Sequence, residues 1–227
     1  MEYVVGILLG FITLSFLLKV SFYGSFRYTV LIAILCSAFI LLIWPYATEQ
    51  SKTQIEDFLH SPKEMLDASV WITLESAIMI GFCFNCFAYQ SQHKTLFKRI
   101  VTCILKLYPG LLFGVVLSYT LTQIIYALPG VDFLQIAWYF AISISALIII
   151  LEWGLKIILP EYGLRLELLF VTNLFIIILG IIATENGQTY YSSVSNLDIK
   201  ALLGTLSVII GGMILGFIWK LISKKSI

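Results

Sequence analysis

The stretch FLQIAWYFAISISALIIIL, residues 133–151, runs without a single charged side chain. A helix needs about 20 mostly apolar residues to cross the hydrocarbon core of a bilayer, so this stretch is long enough to span a membrane. Six other uncharged stretches share this character, at residues 3–18, 28–48, 76–93, 107–131, 168–184 and 201–219. The sequence therefore predicts an all-α, polytopic membrane protein built as a bundle of seven transmembrane helices.

The composition favours the same class of protein. Hydrophobic residues make up 60% of the chain and charged residues only 12%, whereas a water-soluble domain carries about 25% charged residues. We therefore expect residues 1–227 to form a single transmembrane domain with the lipid bilayer as its main partner. A net charge of +1 gives no basic surface for nucleic acid, so no nucleic-acid partner is expected.

The distribution of lysine and arginine predicts the orientation of the chain. If the N-terminus lies outside, the outer segments carry only Lys52, Lys63 and Lys200, and all other Lys and Arg residues face the cytoplasm. We therefore expect a bacterial inner membrane protein with its N-terminus outside and its C-terminus in the cytoplasm. The largest outer loop is predicted at about residues 47–67.

Two features of the chain ends bear on processing and location. No positively charged region precedes the first stretch, so we interpret it as a retained helix and not as a signal peptide. The final Lys-Lys-Ser-Ile resembles a retrieval signal of the endoplasmic reticulum. That membrane is therefore the alternative location if the source is eukaryotic.

Glu75 is the sharpest candidate for a functional residue, because it lies roughly two turns inside the third predicted helix. A carboxylate there costs energy unless it is protonated, paired or hydrated, and such residues are functional candidates by default. Glu64, Asp67, Trp71 and Glu75 recur at spacings of three and four residues, which places them on one helix face. The stripe predicts an access path for a proton or cation, and the alternative is an interfacial acid that reaches water or bonds to a neighbouring helix.

Other polar side chains within the stretches give weaker signals. Glu167 lies near the start of the sixth helix, in the opposite leaflet to Glu75, and is a minor candidate for the same pathway. Glu161 and Arg165 beside it are spaced to form a solvated surface pair. For Asn85 and Asn173 we expect hydrogen bonds to neighbouring helices, because asparagine in a membrane helix usually serves packing.

Small residues at a spacing of four predict close helix packing in three places. The G-x-x-x-G pairs are Gly6 and Gly10, Gly110 and Gly114, and Gly212 and Gly216. In helices 1 and 4 the glycine pair lies near the helix start. In helices 3 and 6 a Leu-Glu dipeptide lies near the helix start. This order is typical of an inverted repeat of three helices plus three, with a seventh helix added, as known in transporters.

Several local signals predict where helices begin, bend and end. Ser61-Pro62 is typical of a helix start, and Pro160 should end the fifth helix. Pro109 and Gly110 indicate that the fourth helix bends as it enters the membrane. Lys19 ends the short first stretch, and its ammonium group is expected to reach the interface.

The sequence predicts neither a metal site nor a cofactor. His60 and His93 fall on opposite sides of the membrane, and no His, Cys or Asp cluster has ligand spacing. Cys83 and Cys86 form C-x-x-C, which we interpret as helix packing, since they lie toward the reducing cytoplasmic side.

Three functions remain open. The first is an ion- or proton-linked translocation component that uses Glu75, with Asp67, Glu64 and Glu167 as pathway candidates. The second is a non-catalytic or accessory subunit packed against other membrane subunits or against its own copies. The third, a membrane enzyme acting on thiols or lipid, is disfavoured because no nucleophile lies near a base.

Overall fold

The computed structural model describes residues 2–24, 26–50, 61–89, 104–128 and 130–185, and all regular structure in these ranges is helical. The six helices are α1 (Glu2–Val20), α2 (Phe26–Glu49), α3 (Pro62–Tyr89), α4 (Leu112–Ala127), α5 (Phe133–Ile158) and α6 (Tyr162–Glu185). They correspond to the first six predicted stretches. The seventh stretch, 201–219, lies outside the described residues.

The described helices have the length and composition of membrane-spanning helices. Five segments are long and apolar enough to cross a bilayer: Phe26–Glu49, Glu64–Phe87, Ile104–Ala127, Phe133–Ile158 and Tyr162–Ile182. The helix α1 is also apolar but shorter, over Val4–Val20. Many large aliphatic and aromatic side chains face outward, which suits a surface solvated by lipid tails and not by water.

Helix boundaries follow the local signals in the sequence. As predicted, α3 begins at Pro62, where the missing N–H of proline costs nothing. The carboxylate of Asp132 accepts a hydrogen bond from the Leu134 N–H and caps the start of α5. That helix ends at Ile158, two residues before Pro160, and its buried Glu152 forms an ion pair with Lys156 one turn later.

The helices pack in pairs around two apolar clusters. Helix α3 lies against α6, α2 lies against α5 and α4, and α1 lies against α6. The larger cluster joins α1, α2, α4 and α5 with Ile176 of α6, and Phe16 stacks on Phe113 there with ring centroids 3.9 Å apart. The smaller cluster joins the end of α1 to α3 and α6 through Leu18, Phe82 and Leu169.

The fourth membrane segment is broken. Residues 104–107 form a short helical turn, residues 108–111 leave the helix, and α4 resumes at Leu112. Pro109 cannot donate a backbone hydrogen bond, and Gly110 adopts a φ of +108°, which favours glycine. The predicted bend is therefore confirmed, and it is a complete interruption of the helix.

Candidate functional site

Glu75 lies at the middle of the 28-residue α3, and only 9% of its surface is exposed. Its carboxylate faces the break and accepts the Leu112 N–H, with that nitrogen 3.0 Å from Oε1 and 2.9 Å from Oε2. The Tyr108 hydroxyl donates to Oε2 over 3.1 Å. Glu75 therefore holds both sides of the break from a neighbouring helix.

The Glu75 carboxylate acts as the cap of α4. The first N–H groups of a helix have no partner within it and carry a partial positive charge. The residue before α4 is Leu111, whose side chain makes no capping hydrogen bond. A carboxylate on α3 supplies both the missing acceptor and the complementary charge, and this stabilises a helix start inside the membrane.

Gly110 allows the carboxylate to lie this close to the backbone. A Cβ atom at this position would lie 3.2 Å from Glu75 Oε1 and 3.1 Å from Met79 Cε. The positive φ of Gly110 would also strain any other residue. Glycine is therefore needed here for its conformation and for its small size.

Lys19 and Tyr23 hold the short turn before the break. Lys19 Nζ donates to the Leu105 carbonyl over 2.8 Å, and the Tyr23 hydroxyl donates to the Leu107 carbonyl over 3.0 Å. Lys19 is only 1% exposed, and its ammonium lies 2.9 Å from the centre of the Phe82 ring. It therefore does not reach water at the interface, because the Leu105 carbonyl and the face of the Phe82 ring surround its ammonium instead.

The break thus receives opposite charges at its two sides. Lys19 binds the Leu105 carbonyl at the end of one helical piece, and Glu75 binds the Leu112 amide at the start of the next. Both match the sign of the helix dipole at that point. Interrupted membrane helices whose ends face charged groups are the recurrent design of ion-coupled transport sites.

A small cavity, lined mainly by apolar side chains, adjoins Glu75. Its volume is about 10 Å³, and its polar lining comes from Ser15, Glu75, Ser76 and Asn173. Asn173 Nδ2 donates to Ser15 Oγ over 2.9 Å, which links α6 to α1, and to the Leu169 carbonyl over 2.8 Å. Within the described part of the chain, the buried Ser76 hydroxyl has no hydrogen-bond partner.

A larger cleft lies beside the first half of α3. Its volume is about 490 Å³, and Glu64, Asp67 and Trp71 line it together with aliphatic residues. All three of these side chains are exposed. Ile12 and Leu112 line both the cleft and the small cavity, so two aliphatic side chains border both spaces. The acidic stripe therefore divides between the two spaces.

The remaining predicted residues lie apart from this site. Glu167 is exposed, and Asn85 is half-buried near the other end of α3. Arg165 does not turn to Glu161 but donates to the Ser21 carbonyl over 3.0 Å. That carbonyl belongs to the turn after α1, so Arg165 fastens α6 to the same turn that carries Tyr23.

The glycine pairs differ in their surroundings. A Cβ atom at Gly114 would lie 3.3 Å from the Phe39 ring, so α2 and α4 approach closely there. At Gly6 and Gly10 a Cβ atom would meet no described atom within 4 Å. Gly212 and Gly216 lie outside the described residues.

The described cysteines form no disulfide and belong to no cluster of possible metal ligands among the described residues. Cys36, Cys83 and Cys86 are free thiols there, and Cys83 Sγ points to the Leu166 carbonyl at 3.8 Å. No group of three or more His, Cys, Asp or Glu side chains comes together among the described residues.

Sequence reasoning missed Lys19, Ser76 and Tyr108 as parts of the site. Lys19 stands at the end of an apolar stretch, where a snorkelling lysine and a buried one look alike. Tyr108 precedes Pro109-Gly110, and the break signalled by these two residues could have marked it. Comparison of the chain with protein-family models, with curated proteins and with solved structures found no match.

Proposed function

We propose that this protein is an ion- or proton-linked translocation component of a membrane, with Glu75 as the acid that takes up and releases the proton. The observation that carries the proposal is a buried carboxylate at the middle of α3, bound to the start of an interrupted membrane helix. Ionisable groups in such positions are expensive and usually mark an ion pathway.

The interruption of the helix supports the proposal, because it lets the two helical pieces move relative to each other. The helix is interrupted at residues 108–111, and on either side of the break a side chain bonds the backbone: Tyr23, which follows α1, bonds the Leu107 carbonyl, and Glu75 on α3 bonds the Leu112 N–H. Protonation of Glu75 removes the charge that complements the start of α4. A change at one carboxyl group would thus alter the bonds that hold two helical pieces in place.

The cleft supports access from outside. Glu64 and Asp67 line its wall, and acids there attract cations and protons from the water. Ile12 and Leu112 would form the barrier between this cleft and the cavity at Glu75. Glu167, on the opposite side of the membrane in this scheme, would serve release into the cytoplasm.

The proposal includes seven crossings of a bacterial inner membrane, with the N-terminus outside and the C-terminus in the cytoplasm. It also includes an inverted repeat of helices 1–3 and 4–6. The packing of α2 on α5 and of α3 on α6 favours the repeat, because these are corresponding helices of the two halves, whereas α1 packs mainly on α6.

Proton flux through reconstituted protein tests the function. The wild-type protein is placed in the membrane of liposomes that contain a pH-sensitive dye. Under an imposed proton gradient the pH inside these liposomes should change, and Glu75→Gln should abolish this proton flux. Glu161→Gln is the matched control, because Glu161 is an exposed acid outside the pathway. If Glu75→Gln, shown to be folded by its thermal unfolding, conducts like the wild type, the proposal fails.

The second candidate is a non-catalytic subunit of a larger membrane assembly. The hydrogen bonds of Glu75 favour it, because a purely structural cap would make the same contacts to Leu112 and Tyr108. Purification in mild detergent would then bring down partner chains in fixed ratio. In that case Gly→Leu at Gly212 or Gly216 should release the partners, and no flux should be found.

A further inference from the structure

The larger cleft, beside the first half of α3, has the size and the walls of a site for an apolar molecule. Its volume of about 490 Å³ lies within the range of small-molecule sites, roughly 300–1,000 Å³. Four helices line it: α1 contributes Leu8 and Leu9, α3 contributes Ile72, α4 contributes Val115, and α6 approaches at Gly180. These aliphatic walls favour an apolar group as the occupant.

The cleft is open at the surface of the described bundle. Val115 and Trp71 line it, and both side chains are exposed in the described structure. A molecule dissolved among the lipid tails can therefore enter the cleft from the membrane, without a water-filled route.

The charges at the cleft favour a positive ligand. Glu64 and Asp67 are the charged side chains among its described lining residues, and none of those residues is a lysine or an arginine. Both acids are exposed, and neither forms an ion pair with a described side chain. Two carboxylates without a counterion attract a cation and repel an anion.

Aromatic side chains stand near the two acids. Trp71 follows Asp67 by one helical turn on the same face of α3, and Tyr119 lines the cleft from α4. The faces of such rings attract cations, above all organic cations such as quaternary ammonium groups. The combination of acids, aromatic rings and aliphatic walls therefore favours an organic cation over a hydrated metal ion.

A phospholipid suits this cleft less well than a free cation. Its acyl chains match the apolar walls, but its phosphate would lie close to Glu64 and Asp67, which line the same space. Like charges at short range repel each other. An apolar molecule with a single positive charge has no such conflict.

One end of the cleft reaches the break. Leu112 lines the cleft, and its N–H binds the Glu75 carboxylate. A ligand in contact with Leu112 therefore acts on the same helix start that Glu75 holds. Two sites that act on one movable element can be coupled through it.

We propose that this cleft binds a lipophilic cation, an apolar organic molecule with one positive charge. Glu64, Asp67 and Trp71 attract the charged part, and the aliphatic side chains surround the rest. The inference rests on the proposed function, for which it names the class of the transported solute: the cation moves in exchange for the proton of Glu75.

Equilibrium binding of two radiolabelled ions of the same shape tests the proposal. Tetraphenylphosphonium carries one positive charge, tetraphenylborate carries one negative charge, and both are apolar. The full-length protein in phosphatidylcholine nanodiscs should bind tetraphenylphosphonium saturably, above the amount that protein-free nanodiscs take up, and should bind no tetraphenylborate in this way. Equal saturable binding of the two ions, or no saturable binding of tetraphenylphosphonium, would overturn the proposal.

Neutral variants of the two acids test the assignment to this cleft. Glu64→Gln combined with Asp67→Asn should raise the Kd for tetraphenylphosphonium at least about tenfold, because both attractive charges are lost. Glu49→Gln combined with Glu161→Gln is the matched control, since it removes the same charge from two exposed acids outside the cleft. Its Kd should stay within about twofold of the wild-type value, because distant exposed charges are screened. An unchanged Kd for the first pair would reject the site.

A variant that fills the cleft tests its apolar walls separately. Ala68 lines the cleft, so Ala68→Trp should abolish saturable binding of tetraphenylphosphonium. Ala146→Trp is the control, because Ala146 is an exposed alanine of α5 outside the cleft, and this variant should bind like the wild type. Thermal unfolding shows that both variants are folded, and wild-type binding by folded Ala68→Trp would contradict the proposal.

The binding result and the flux result are separable. Cation binding that depends on Glu64 and Asp67, without any proton flux in liposomes, would keep the site and reject the translocation function. Proton flux that requires Glu75, without saturable binding of tetraphenylphosphonium, would keep that function and reject a lipophilic cation as its solute.

Discussion

Glu75 and Lys19 are buried ionisable side chains, and among the described residues neither forms a hydrogen bond with an oppositely charged side chain. Their partners are backbone groups freed by the break: the Leu112 amide for Glu75 and the Leu105 carbonyl for Lys19. Charge-assisted bonds of this kind are stronger than neutral ones. The two residues therefore depend on the break, and the break depends on them.

Removing Lys19 should destabilise the fold more than removing its exposed neighbour in space. We expect Lys19→Met to lower the free energy of unfolding by about 1–3 kcal/mol, because the Leu105 carbonyl loses its partner. Lys106→Met is the control, since Lys106 is exposed and lies in the same short turn; its effect should stay within about 0.5 kcal/mol. Equal losses in denaturant unfolding would contradict this role for Lys19.

Tyr23 gives the fold a dependence on alkaline pH. Burial raises the pKa of its hydroxyl from 10.0 to about 12, so the folded protein holds this proton more tightly than the unfolded chain. The contribution is complete below pH 10.0 and is lost as the pH rises to about 12. Stability of the wild type should thus fall more steeply over this window than that of Tyr23→Phe, and parallel curves would contradict it.

The sequence identifies Glu75 but not its partners, for a physical reason. An acid inside an apolar stretch can be recognised from the sequence without knowing where the neighbouring helices lie. Lys19 stands where its stretch ends, so only the position of residues 104–107 decides whether its ammonium meets water or a carbonyl. Ser76 looks like any small helix residue until α1 and α6 close a cavity over it.

At the scale of the helix, the interruption at 108–111 is the feature on which the site depends. Pro109 and Gly110 predict this interruption from the sequence, because proline and glycine have distinctive backbone preferences. The helix boundaries at Pro62 and Pro160 are predictable for the same reason. These signals act through the backbone of the residues themselves. The pairing of α3 with α6, and of α2 with α5, has no such local signal, because most helices here are apolar on every side.

Gly110 should be the least replaceable glycine of the break. Gly110→Ala combines a strained backbone with contacts to Glu75 Oε1 and Met79 Cε, and we expect a loss of about 2–4 kcal/mol. Gly130→Ala is the matched control: its φ is +98°, but a Cβ atom there meets no described atom within 4 Å. This variant should lose only the free energy of unfolding that backbone strain costs, about 1–2 kcal/mol.

The comparison of the two glycine variants separates conformation from crowding. Thermal unfolding of both variants in the same detergent gives the difference directly. An equal loss for Gly110→Ala and Gly130→Ala would show that the close approach of Glu75 to the break adds nothing to the stability.

At the scale of the whole molecule, the class of the protein was readable from composition alone, and the described helices confirm it. Five segments reach membrane-spanning length, because lipid demands long apolar helices whatever the function. The number of crossings and the orientation stay predictions. They rest on the stretch 201–219 and on the lysine distribution.

Reporter fusions test that orientation. Alkaline phosphatase is active only outside the cytoplasm, so a fusion after Ile227 should be inactive. A fusion after Gln50, which follows α2 and should lie outside, should be active and serves as the control. Activity of the fusion after Ile227 would contradict the seven-span topology with a cytoplasmic C-terminus.

The central claim is that Glu75 exchanges a proton while it holds the break. Infrared difference spectra of the reconstituted protein across a pH titration measure this directly, through the carbonyl band of a protonated carboxyl group. We predict a band that is present in the wild type and in Glu161→Gln, shifts in heavy water, and is missing in Glu75→Gln. A band unchanged in Glu75→Gln would show that Glu75 is a permanent cap, and would contradict the account.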